Sequence, residues 1–278
     1  MLTGILARVL LVVVVMLAVS IPLVVGRDRL TRTARAWRPR LQTAAPIAAV
    51  LVVALLFNRV AREAFPSISW QIGWNATSTF HRLEGDSILV FQSYATSELT
   101  AYFTFVYVYG YVFLLVFPLV AYFALSNTRY LRELLAAYTF NYTLGLVCYV
   151  FVIAYGPRNV MPELLDTVLY DAYPQYQHLT REVNHNTNVF PSLHTSLATT
   201  VAIFAYRTHS EYPTWTPIAV VLAGSVALST MYLAIHWAID VVAGVVLAAV
   251  SVALAATVVG RVSLSLSRER LSRTFRRE

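Results

Sequence analysis

Seven stretches of the chain carry no charged side chain: residues 9–26, 41–58, 99–128, 134–157, 189–206, 212–235 and 241–260. Each is near or above the ~18–20 apolar residues needed to cross a bilayer. Backbone inside lipid must satisfy its own hydrogen bonds, so these stretches predict helices. The expectation is an all-α polytopic membrane bundle of about seven transmembrane helices. The first stretch has a longer apolar core than a signal peptide, lacks an A-x-A-like cleavage site and stops at Arg27-Asp28-Arg29. It is expected to be a retained anchor.

Composition agrees. Of 278 residues, 58% are hydrophobic and 13% are charged, against about 25% charged in a soluble domain. That excludes a soluble globule, a disordered chain, a nucleic-acid-binding domain and a disulfide scaffold. Cys148 is the single cysteine, so no intrachain disulfide can form. The bland reading of a lone thiol in an apolar run, as inert packing, is preferred.

The net charge is +7, and every basic residue is arginine. Arginines crowd the connection after the first stretch (Arg27 to Arg40), the third connection (Arg129, Arg132), the fifth (Arg207) and the tail from Arg261 to Arg277. These segments alternate, so they fall on one side, which the positive-inside bias makes cytoplasmic. That side collects 15 of the 21. The expected layout is a multi-pass cell-membrane protein with a cytoplasmic C-terminus. Residues 1–42 would be an anchor helix with a basic loop, 43–260 the membrane catalytic domain, and 261–278 a basic tail. The segments 62–98 and 156–190 face the other side. They are rich in Trp, Tyr, His and acids and predict short interfacial or re-entrant helices.

Ionisable groups at the mouths of spans are functional candidates, and three sets lie on the non-cytoplasmic side. In Pro191-Ser192-Leu193-His194, Pro191 can start a helix whose first turn carries Ser192 and His194. The free N–H groups and positive dipole of that turn favour an anion. His236 and Asp240 are four apart. On one helical face, the carboxylate would fix the imidazole tautomer and leave the other nitrogen as nucleophile or base. Arg158 follows the fourth stretch at the same level and offers phosphate a planar fork of donors. Taken singly, these are a capped helix start, an ion pair at a helix end and a snorkelling arginine.

Together and in this order they resemble the type 2 phosphatidic acid phosphatase superfamily over residues 99–260, with motifs in 155–240 and a six-helix phosphatase-type core. The nearest resemblance is to its inositol phosphorylceramide synthase and inositolphosphotransferase branch. It rests on the Pro157-Arg158 pair, Leu193 inside the second motif and His236-Trp237 before the Asp. The resemblance implies a lipid phosphatase or phosphotransferase. In it, His236 attacks phosphorus to form a phosphohistidine, and Asp240 orients it. His194 acts as acid and then base, while Arg158, Ser192 and the backbone at Leu193 hold the phosphate oxygens. It implies no cofactor and no metal; no tight ligand pair such as H-x3-H is present. The implied partners are a membrane lipid phosphate and either water or a lipid alcohol acceptor.

Two departures stand out. Thr230 follows Ser229 where the family pattern has Arg, and the usual Lys of the first motif is missing. A phosphate clamp lighter by two cations favours transfer of a phosphodiester headgroup over monoester hydrolysis. Arg181 or Arg82 could substitute, and His185 could touch a headgroup. The segment 70–92 is either an interfacial helix or a lid. A lipid transporter would gather polar residues at midplane and show repeats; an inactive scaffold would have no use for both His and the Asp.

Overall fold

A computed structural model describes residues 2–165 and 189–275, with side chains described no further than Arg261. Helix α1 (Leu2–Val24) is followed by α2 (Arg27–Arg35) and α3 (Trp37–Ala64). Short elements come next: α4 (Pro66–Ile72), β1 (Trp74–Asn75), α5 (Thr77–Glu84), a 3₁₀ turn (Gly85–Ile88) and α6 (Leu89–Ser93). Helix α7 (Ser97–Phe105) runs through a π-helical turn (Val106–Gly110) into α8 (Tyr111–Phe123). Then come α9 (Arg129–Phe151), β2 (Val152–Ile153), α10 (Pro157–Val160), α11 (Leu193–Arg207), α12 (Trp215–Tyr232) and α13 (Ala238–Phe275).

The protein is an all-α polytopic membrane bundle. Among the described residues, six helical spans are long and apolar enough to cross a bilayer: Thr3–Val24, Trp37–Ala64, Ser97–Phe123, Arg129–Phe151, Trp215–Tyr232 and Ala238–Arg261. The seventh expected span is the exception. Its helix, α11, has 15 residues, about 22 Å at 1.5 Å per residue. Residues 189–192 are not helical, so the start of the apolar stretch forms an approach to the site, and α11 itself runs from Leu193 to Arg207 between the two ends of the bundle. Helix α13 is long. Its 38 residues continue past residue 260 into the basic tail, a segment with no Pro or Gly to stop it.

Leu10, Leu11 and Leu23 are 64–77% exposed, a costly display in water and the expected one for side chains meeting acyl chains. The interior packs α8, α9, α11, α12 and α13 together. Phe117, Leu114, Leu134, Phe204 and Trp215 are fully buried at its centre.

Arginines from three of the four basic segments meet at one end of this bundle. Arg40 donates to the carbonyls of Phe123 and Leu125 at 2.7 and 2.6 Å, satisfying oxygens left over where α8 stops. Arg29 pairs with Glu211 at 2.8 Å. Buried Glu133 binds both Arg129 and Arg207 at 2.6 Å. These cations do more than mark topology, because they tie helix ends together. Arg207 closes α11 at this end, and His194 opens it at the other.

At that other end, the 70–92 segment forms the expected short helices and folds onto the bundle. Trp74 and Asn75 pair in parallel with Val152 and Ile153. Phe80 and Ile88 are buried with Val189, Met231 and Trp237.

Candidate active site

Two helix heads converge here. Ser192 is the N-cap of α11: its Oγ accepts from the Thr195 amide at 3.3 Å and from Thr195 Oγ1 at 3.1 Å. Pro191 therefore lies just outside the helix, correcting the expectation that it starts it and that Ser192 sits in its first turn. A hydroxyl with both lone pairs engaged retains its proton as a donor. Leu193 and His194 head the helix, where no preceding turn supplies acceptors for their amides. The Leu193 side chain is buried against α9, at Gly145 and Tyr149.

The second head is α13. His236 lies in the turn before it, so no continuous helix carries both His236 and Asp240. The contact forms nonetheless, with His236 Nδ1 3.4 Å from Asp240 Oδ2. The same oxygen accepts from the Trp237 amide at 2.9 Å. With Trp237 as N-cap and Asp240 at the third helical position, this is the reach-back half of a capping box. Asp240 is thus fixed by the helix it begins. With Nδ1 directed at Asp240, Nε2 is the nitrogen left for chemistry. Both residues are buried.

The two heads are bound to each other. The Ser192 amide donates to the Asp240 carbonyl at 3.0 Å. The rings of His194 and His236 have centroids 6.4 Å apart, out of direct contact and close enough to flank one bound group. A comparison with protein families gives the matching assignment: the model described as PAP2 superfamily matches residues 79–254. The chain belongs to the PAP2 superfamily. No curated protein and no solved structure matches the chain.

PAP2 superfamily membership places the chain in a family of membrane lipid phosphatases and phosphotransferases. The matched region contains every residue brought together here. Arg158 belongs to α10, and its amide donates to the Ala234 carbonyl at 3.2 Å. The first-motif segment is thereby pinned two residues before His236. Gly156 makes that possible, because a Cβ there would stand 2.2 Å from the Ile235 carbonyl oxygen. Thr230, in the place of the family arginine, is spent on structure. Its hydroxyl donates to the Ala227 carbonyl at 2.7 Å, and its own carbonyl receives the amides of Ile235 and His236. Ser229 likewise donates to the Val226 carbonyl at 2.7 Å.

Arg82 is not brought to these residues by any described contact. It is exposed and donates to Thr79 on its own helix at 3.4 Å. Arg181 and His185 lie outside the described residues. Among the described residues, no three His, Cys, Asp or Glu side chains gather as a metal ligand set.

Several contacts around the site were not foreseen from the sequence, although the 70–92 segment that carries His81 and Glu84 was. His194 sits between Tyr107, stacked at 4.8 Å, and Tyr111, at 4.6 Å. Tyr107 lies within the π-helical turn of the third span and Tyr111 directly follows it, a kind of turn often found at functional sites. Glu84 of α5 accepts from the amides of Ala238 and Ile239 at 2.8 and 2.6 Å. Trp237 donates its ring N–H to the Tyr155 carbonyl at 2.9 Å, and His81 lies 6.0 Å from its ring. Behind the site, Asn141 of α9 joins Thr200 and Ser196 of α11 in a buried network.

Proposed function

We propose that this PAP2 superfamily member is a metal-independent lipid phosphatase or phosphotransferase working through a phosphohistidine at the non-cytoplasmic face. One observation carries the reading: an imidazole held by a buried carboxylate at 3.4 Å, with a second imidazole 6.4 Å away, centroid to centroid.

The chemistry divides into two half-reactions. His236 Nε2 donates its lone pair to phosphorus as the bond to the lipid oxygen breaks. Protonated His194 gives its proton to that oxygen, and the lipid alcohol leaves. Asp240 balances the positive charge on the phosphorylated imidazole. Neutral His194 then takes the proton of a water or alcohol, whose oxygen attacks phosphorus while the P–N bond breaks. Arg158, the Ser192 hydroxyl and the amides heading α11 stabilise charge on the remaining phosphate oxygens.

A second reading, headgroup transfer from a phosphodiester lipid to a lipid alcohol, is favoured by the internal bonding of Thr230. Where the family pattern supplies a cation, this chain supplies a hydroxyl turned back onto its own helix. Such a clamp suits a phosphodiester monoanion better than a phosphomonoester dianion.

Purified protein, incubated with a labelled phosphomonoester lipid and a labelled inositol-phosphate lipid, with and without a lipid alcohol, separates the readings. Free phosphate indicates hydrolysis, and a new labelled lipid indicates transfer. Activity should survive EDTA. Loss with EDTA and rescue by a divalent metal would falsify metal independence, and no turnover of either lipid would overturn the function.

A further inference from the structure

The head of α13 has more amide donors than its own sequence can satisfy. Trp237, at the N-cap, has no side-chain oxygen, so it cannot do for α13 what Ser192 does for α11. Asp240 reaches back to the Trp237 amide only. The next two amides, Ala238 and Ile239, both end on Glu84, one per carboxylate oxygen, at 2.8 and 2.6 Å. The acceptor comes from 154 residues away.

Glu84 is also oddly placed on its own helix. It is the last residue of α5, at the negative end of the helix dipole. Gly85 follows at φ +52°, a conformation that ends the helix with little strain only because the residue is glycine. A carboxylate held where its own helix disfavours it meets the positive end of α13. The surrounding contact is apolar and close-packed, with Phe80 and Ile88 against Trp237.

We propose that Glu84 is a positioning residue for the His236–Asp240 pair, acting through the first turn of α13. This rests on the catalytic reading above. Asp240 lies one residue beyond Ile239, and His236 lies two before Ala238. Both ends of the 3.4 Å contact are therefore set by the turn that Glu84 clamps. The outer segment thereby acts on the site without touching the reacting atoms.

Three variants test it in the full-length protein. Glu84→Ala removes both acceptors. Glu84→Gln keeps the shape with one acceptor oxygen and no charge, which guards against a variant that fails to fold. Asp86→Asn, at an exposed acid two residues on, is the control. Displacing a reacting group by about 1 Å costs on the order of 10²-fold in rate. Glu84→Gln is expected to lower kcat by about 10- to 100-fold with KM within about threefold of wild type. Hydrogen–deuterium exchange of the peptide containing Ala238 and Ile239 should quicken in Glu84→Ala and stay unchanged in Asp86→Asn. Wild-type kcat in both Glu84 variants, or unaltered exchange in Glu84→Ala, overturns the proposal. If the wild-type protein turns over no lipid phosphate, the catalytic reading falls, while the exchange measurement still decides whether Glu84 holds the turn.

Discussion

Gly244 lies against Ser192: a Cβ added to Gly244 would stand 2.6 Å from the Ser192 carbonyl oxygen, 3.1 Å from Thr195 Cβ and 3.3 Å from the Ser196 amide. The last helix thus passes the cap of α11 at backbone distance, one turn below Asp240. Gly244→Ala should push the two helix heads apart. The expected loss is about 1–3 kcal/mol of stability and on the order of 10²-fold in turnover. Gly224 of α12 has no atom within 4 Å of such a Cβ. Gly224→Ala should therefore be neutral or slightly stabilising, since Ala is the better helix former. Thermal melts and turnover of both variants check this, and equal behaviour would contradict it.

The two histidines should fail differently. His194→Ala removes the proposed proton donor, for an expected loss of about 10²–10⁴-fold. His236→Ala removes the proposed nucleophile and should leave no measurable turnover. Rapid quench with a phosphorus-labelled lipid should find acid-labile label on wild-type protein and none on His236→Ala. Label persisting on His236→Ala would move the nucleophile elsewhere.

Asp240→Asn keeps the size of the side chain and can still accept the Trp237 amide. It loses the charge proposed to balance a phosphorylated His236. The expected result is a near-normal melting temperature with turnover lowered by about 10²-fold or more. Turnover near wild type would show that Asp240 serves only as a cap.

Glu133 belongs to the opposite end of the bundle. Its side chain is fully buried, while those of Arg129 and Arg207 are 52% and 30% exposed. Glu133→Ala breaks both pairs and leaves two cations beside a buried gap. Removing one partner of a buried pair costs about 3–5 kcal/mol, and the exposure of these arginines favours the lower end. A melt should show this loss, with turnover below the transition unchanged. Impaired turnover in a stable variant would tie Glu133 to the distant site.

Much of the architecture was legible because lipid imposes a simple rule on length and polarity. The six spans lie where charge-free stretches lie. The His236–Asp240 contact was legible because it is local, although the turn before α13 delivers it rather than a shared helical face. Glu84 was not legible: a carboxylate accepting two backbone amides leaves no complementary residue type at 238 and 239 to find. Its trace was its place in the polar and aromatic concentration of the 70–92 segment, which named the segment and not the contact. Tyr107 and Tyr111 were hidden for another reason, since aromatics within an apolar span look like packing. The truncated α11 was missed because apolar composition does not say where a helix starts.

His194 lies against the rings of both Tyr107 and Tyr111, contacts that favour one ring position over a swing from one side of a substrate to another. On the proposed mechanism, one proton carrier would serve departure and arrival at the same position. The outgoing alcohol would then have to vacate before its replacement enters, an alternating, ping-pong order. Two successive in-line displacements, each inverting phosphorus, would return a chiral phosphate product with its original handedness.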